Sequence, residues 1–159
     1  MNFCAGFADT AWDIALQRQR GTPKSEVTEF YASRRHSKLT LPLVERVYAD
    51  EQRPPVEYAG AFFDECAYYK AGVGVPRVDS AHQCLVQSLA VGALRVARDN
   101  GQSFAEAYAE LGKAGAGVEE PTLEAAYASA LGVGAIKYQF WVECTRPVAY
   151  DLGEKPKYY

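Results

Sequence analysis

The stretch "CAGFADTAWDIALQRQRG", Cys4 to Gly21, decides the fold, because it returns eighty residues later as "CLVQSLAVGALRVARDNG", Cys84 to Gly101. Both open on cysteine, close on glycine and carry an arginine three residues before it, at Arg18 and Arg98. In the first, Cys4, Phe7, Ala8, Ala11, Ile14 and Ala15 recur at three- and four-residue intervals, which predicts a helix over about 3–20. The second, over about 81–99, is apolar on a wider arc (Leu85, Val86, Leu89, Ala90, Ala93, Leu94, Val96, Ala97), as a more deeply buried helix would be. Gly21 and Gly101 stand where a helix end calls for a left-handed residue, with arginines suited to the C-terminal dipole.

Working outward, Glu26 matches Glu106 at the same offset of eighty. Pro42, Glu45, Tyr48 and Ala49 match Pro121, Glu124, Tyr127 and Ala128 at seventy-nine. Phe62, Glu65 and Cys66 match Phe140, Glu143 and Cys144 at seventy-eight, with Phe63 opposite Trp141. An offset that drifts by only two residues, each drift placeable in a loop, predicts an internal duplication. The predicted organisation is one helical unit over 1–70, a connector over 71–80, a second unit over 81–146 and a tyrosine-rich tail over 147–159.

Each unit reads as three to four helices. A short helix follows the first, signalled by the capping-box spacing of Ser103 and Glu106 and by Thr22 before Pro23. Pro42 and Pro121 are each expected at a helix start. The last helix carries Ala59, Phe62, Phe63 and Cys66 in one unit and Ile136, Phe140, Trp141 and Cys144 in the other. The connector "AYYKAGVGVPRVDS" and the tail "TRPVAYDLGEKPKYY" are expected to be non-helical beyond their first residues. The fold class is therefore all-α: two tandem, disulfide-stapled helical units packed side by side.

In each unit one cysteine opens the first helix and one closes the last. If those helices run antiparallel, the thiols meet at one end of the bundle. Four cysteines allow three pairings, and the repeat selects Cys4–Cys66 and Cys84–Cys144. Such bridges belong to an oxidising compartment, the periplasm or the cell exterior. The alternative is four reduced cysteines acting as small core hydrophobes, which would place the chain in the cytosol. A zinc site is disfavoured, because the nearest cysteines, Cys66 and Cys84, are eighteen apart rather than two to four.

The chain has 159 residues, is 48% apolar and 23% charged, and carries a net charge of −3. Those values fit a globular domain with a core, and no apolar run reaches the roughly 20 residues needed to span a bilayer. The start "MNFCAGFADTAW" lacks the basic region and apolar stretch of a signal peptide, so export implies a chain that has lost its leader. The one basic cluster, Ser33 to Lys38 with Arg34, Arg35 and Lys38, reads as a solvated loop, and no nucleic-acid partner is expected.

Catalytic equipment is sparse. His82 lies two residues from Cys84, so the two point to different helix faces, and His36 sits in the basic loop. No nucleophile elbow or phosphate-binding loop is present. The acid pairs Asp64/Glu65 and Glu119/Glu120 read as a solvated face and a helix start. Glu65 recurs as Glu143, which suggests pairing with an arginine in each unit. An enzyme using Glu65 or Glu143 is the weakest of the functional options; no catalytic residue, metal or cofactor is assigned.

The aromatic residues are more numerous than helix faces must bury. Tyr58, Tyr68, Tyr69, Trp141, Tyr150, Tyr158 and Tyr159 are the candidate contacts for a protein partner or a second copy of the chain. The opening cysteine, the helix ending in "ALQRQRG" or "VARDNG", the Val-Tyr or Ala-Tyr helix and the final "EC" together resemble small secreted, cysteine-stapled helical proteins of Proteobacteria. Those usually carry one such unit, whereas this chain carries two, and the resemblance brings no active site with it. By analogy with other small disulfide-containing helical folds, the expected role is non-enzymatic protein binding in the bacterial envelope, such as that of an immunity or inhibitor protein. The alternatives are a small-molecule or lipid carrier binding between the two units, or a cytosolic or phage interaction protein if the thiols are free.

Overall fold

A computed structural model of the chain describes residues 2–150. Among them the order is α1 (Asn2–Gln19), α2 (Lys24–Ala32), α3 (Ser37–Ala49), α4 (Pro55–Asp64), α5 (Val75–Asp99), α6 (Phe104–Lys113), α7 (Glu120–Ala128) and α8 (Val133–Tyr150). The described residues form an all-α fold without strands. α1 packs along α4 and α5 along α8, with α4 also against α5, so these four helices make the centre. α2 and α3 cover one side, α6 and α7 the other.

The ends of α1 and α5 close in the same way. Gly21 (φ 82°) donates its N–H to the Arg18 carbonyl, and Thr22 donates to Gln17; Gly101 (φ 80°) and Gln102 repeat both bonds to Arg98 and Ala97. This satisfies carbonyls that a helix end leaves orphaned, and the positive φ explains the two glycines. The tyrosines then lock each turn. Tyr48 Oη donates to the Thr22 carbonyl at 2.7 Å, and Tyr127 Oη to the Gln102 carbonyl at 2.5 Å. The arginines cross the other way, Arg18 donating to the Asp50 carbonyl at 2.8 Å and Arg98 to the Ser129 carbonyl at 2.6 Å.

Both expected bridges are present. Cys4–Cys66 ties the start of α1 to the chain beyond α4, and Cys84–Cys144 ties α5 to α8, each with Cα atoms 5.5 Å apart. Cys66 lies in a π-helical turn, Glu65–Lys70, that continues α4 and is closed by the Ala71 N–H on the Cys66 carbonyl.

Two sequence expectations are corrected. α5 begins at Val75, so most of the connector is helical and Cys84 sits well inside α5 rather than opening it. The cause is Pro76, which in a first turn forfeits only an N–H that has no partner there. Pro42 lies inside α3 instead of starting it, because Ser37 and Lys38 supply the first turn ahead of it. The first residues of the tail are helical, in keeping with the expectation: α8 runs through Thr145 and Pro147 to Tyr150, and Thr145 Oγ1 donates to the Trp141 carbonyl at 2.6 Å. Residues 151–159 of that tail lie outside the described residues.

The core forms two clusters. The smaller is built from the first half alone: Ile14, Val27, Leu43, Val44, Val47, Tyr58 and Phe62. The larger joins Trp12 and Phe63 of the first half to Leu85, Leu89, Leu94, Leu123, Ile136 and Trp141 of the second. Phe63 and Trp141 meet edge to face at 5.9 Å, so the two positions matched in sequence touch in space. The halves thus share a core, and their helices close around a cleft.

Candidate functional site

Between the halves lies a cleft of about 330 Å³. α1 lines it with Asp9, Trp12, Asp13, Leu16, Gln17 and Arg20, which recur at three- and four-residue steps along one face. α5 lines the opposite side with Leu89, Gly92, Ala93, Val96, Ala97 and Asn100, each of them eighty residues after its α1 counterpart. The same holds for Phe30 and Tyr31 of α2 against Glu110 and Leu111 of α6. Matched faces therefore form two unlike walls, the first charged and aromatic, the second mostly apolar.

The charges are arranged in pairs with one exception. Lys137, reaching in from α8, is ion-paired with Asp9. Its stem lies flat on α5 where Gly92 has no side chain; a Cβ there would stand 2.4 Å from Lys137 Cδ. Ser88, buried on the next turn of α5, donates to the Lys137 carbonyl at 3.0 Å and fixes the lysine's backbone. Arg20 faces Glu110 across the mouth at 3.7 Å. The Asp13 carboxylate makes no hydrogen bond or ion pair among the described residues.

Asp13 is exposed to solvent, with the walls on either side displacing part of its hydration. That desolvation, reinforced by the neighbouring Asp9 charge, pushes its carboxyl up to about 6, against the pull of Lys137 and Arg20. The Tyr31 hydroxyl is raised to about 12, by burial first and then by Asp13 and Asp9, so the phenol stays neutral. Trp12 and Tyr31 are both nearly buried, and only part of each ring faces the cleft.

The residues singled out in the sequence fall elsewhere. Tyr58 is 4% exposed; its hydroxyl donates to the Glu51 carbonyl at 2.6 Å and accepts from Arg18 at 2.9 Å. Trp141 is 6% exposed and donates its indole N–H to Asn2 Oδ1 at 2.8 Å. Both stand on core-facing sides of their helices, which corrects their reading as surface contacts. Tyr68 and Tyr69 do lie on the surface, ring against ring at 4.8 Å, beside a shallow hollow that contains Asp64, Glu65 and Asp79. Tyr150 ends α8 and its side chain is not described, while Tyr158 and Tyr159 fall outside the described residues.

Of the acids, Glu65 pairs with Arg46 at 2.9 Å, but Glu143 accepts from Gln139 at 3.0 Å rather than from an arginine. His82 is mid-helix, its ring seated over Gly60 and 3.0 Å from Asp64. Arg34 of the basic loop lies over the Phe30 ring at 4.3 Å, Lys38 falls within α3, and His36 caps that helix. Among the described residues, no group of three side chains is placed to hold a metal ion, and no helix is long and apolar enough to cross a membrane.

Sequence reading missed Asp9 and Asp13, although a signal was there. Two carboxylates four apart repel each other on a helix, and here they flank Trp12 on a lining face. Their matched positions in the second half are Leu89 and Ala93, so the comparison of halves marks the pair as a departure. No protein-family model, curated protein or solved structure matches the chain.

Proposed function

We propose that this chain is a binding protein made of two related helical units, and that the cleft between them holds a small amphipathic molecule. The observation that carries the reading is the cleft's construction from the same face of α1 and of α5. Its volume of about 330 Å³ lies at the lower end of ligand pockets, which are mostly apolar with a few placed polar groups. The lining has no serine, threonine, cysteine or histidine; what it offers is one unpaired charge, aromatic surface and an apolar wall. The repeated glycine turns, tyrosine locks and disulfides support descent of the two units from one. The bridges favour the periplasm or the cell exterior as the working compartment.

The test is a melting-temperature screen with small amphipathic compounds, repeated on Ala93→Trp, which fills the cleft from the α5 side. Binders should raise the melting temperature of the native chain and leave Ala93→Trp unchanged. Compounds that shift both proteins equally would place binding elsewhere, and a screen without binders would refute the carrier reading.

A second reading, a protein partner of immunity or inhibitor type, is supported by the exposed Tyr68–Tyr69 pair beside Asp64, Glu65 and Asp79. Capture of a partner from envelope extracts by the native chain, and its loss with Tyr68→Ala/Tyr69→Ala, would establish it. Undiminished capture by that variant would remove these tyrosines from the interface.

A further inference from the structure

We infer that the cleft recognises an organic cation, a protonated amine on an apolar or aromatic body, with its ammonium on the Asp13 carboxylate. This rests on the reading of the cleft as a ligand site and names what that site selects.

The charge balance carries the inference. Three carboxylates, Asp9, Asp13 and Glu110, face two cations, Arg20 and Lys137, inside one cavity. Asp9 is taken by Lys137 and Glu110 by Arg20, which leaves Asp13 as the uncompensated charge. The Lys137 ammonium is already committed to Asp9, so turning it fully to Asp13 would only move the deficit to Asp9. An anionic ligand would have to compete with Glu110 or Asp9 for a cation and then sit beside the charge of Asp13. A neutral ligand would take solvent away from Asp13 and give nothing back, a penalty that grows as water is excluded. A cation alone repairs the deficit, through a charge-assisted hydrogen bond.

The walls supply the rest of the description. Trp12 and Tyr31 line the same cavity, each showing only a small part of its ring, and the Tyr31 hydroxyl lies close enough to Asp13 to feel its charge. The Phe30 ring is already covered by Arg34. Opposite lie Leu89, Ala93 and Val96, at the positions matched to Asp9, Asp13 and Leu16. Head and body are thereby assigned to different walls: the ammonium to α1, the apolar portion to α5. The desolvation that raises the Asp13 carboxyl to about 6 leaves it ionised at pH 7.5, with hydration already partly lost before any ligand arrives.

Three probes of matched size separate the possibilities: 2-phenylethylamine, 2-phenylethanol and phenylacetate, titrated calorimetrically at pH 7.5 into the native chain, Asp13→Asn and Asp13→Glu. The amine should bind at least about ten-fold more tightly than the other two, the usual weight of a hydrogen bond to a charged group. Asp13→Asn should abolish the amine's advantage over the alcohol, whose own affinity should not fall, and Asp13→Glu should keep part of the preference. An alcohol or acid that binds as tightly as the amine, or an amine insensitive to Asp13→Asn, would overturn the inference while leaving the cleft a ligand site. If none of the three binds even at millimolar concentration, both readings fall.

Discussion

Lys137 of α8 is ion-paired with Asp9 of α1, a partner 128 residues away in sequence, and this contact fastens the two halves at the edge of the cleft. Both side chains are part-buried, at 22% and 32% exposure, so the pair is less screened than a surface ion pair. Lys137→Met should lower stability by about 1 kcal/mol, and a double-mutant cycle with Asp9→Asn should return a coupling of similar size. Urea unfolding of the four proteins measures it. Zero coupling would mean that the pair does not join the halves.

Asp13 makes stability depend on pH in an unusual direction. Its folded-state value, about 6, lies above the reference value of 3.8, so the folded chain binds more protons than the unfolded one between those limits. Ionisation of Asp13 therefore opposes folding fully above pH 6, and the opposition fades as pH falls toward 4. Solvent at the cleft mouth reduces the effect to the order of 1 kcal/mol. Asp13→Asn should accordingly be more stable than the native chain at pH 7.5 and about equal to it at pH 4. A variant less stable at pH 7.5 would show that Asp13 is held by contacts rather than left uncompensated. A residue that costs stability in the empty protein is consistent with a site kept for binding.

The tyrosine locks should be equivalent. Tyr48→Phe removes the donor to the Thr22 carbonyl, and Tyr127→Phe the donor to Gln102. Each should cost about 1 kcal/mol, as a part-buried hydrogen bond does. Chemical denaturation checks both; a cost in one half only would separate the roles of the two turns.

Each disulfide closes a long loop, the bonded cysteines being 62 and 60 residues apart in sequence. Replacing either pair by alanines should lower stability by about 2–4 kcal/mol. Peptide mapping under non-reducing conditions, on protein made in an oxidising compartment, should recover Cys4–Cys66 and Cys84–Cys144. Four alkylatable thiols would contradict both bridges and the inferred compartment.

Much of the fold was legible in the sequence because repetition amplified weak local signals. Cysteine, glycine, arginine and tyrosine each recur where a bridge, a helix stop and its lock are needed. Prolines are the weaker guide: Pro42 reads as a helix start and Pro76 as a break, yet Pro76 falls in the first turn of α5, where its missing N–H has no partner, and Pro42 stands inside α3. Tyr58 and Trp141 were misplaced because an aromatic on a helix gives no sign of which neighbour will bury it. The cleft could not be read at all from either half alone. It exists only where the α1 face meets the α5 face, and Asp9 and Asp13 gain their meaning from Lys137, far away in the chain.

The most direct test of the cleft as a binding site is amide and indole chemical-shift mapping while 2-phenylethylamine, and separately 2-phenylethanol, is added to the native chain. The account predicts the largest changes at the Trp12 indole N–H and at the amides of Asp13, Gly92 and Ala93, fading away from both walls. Changes centred on Tyr68 and Tyr69, or none at all, would contradict it.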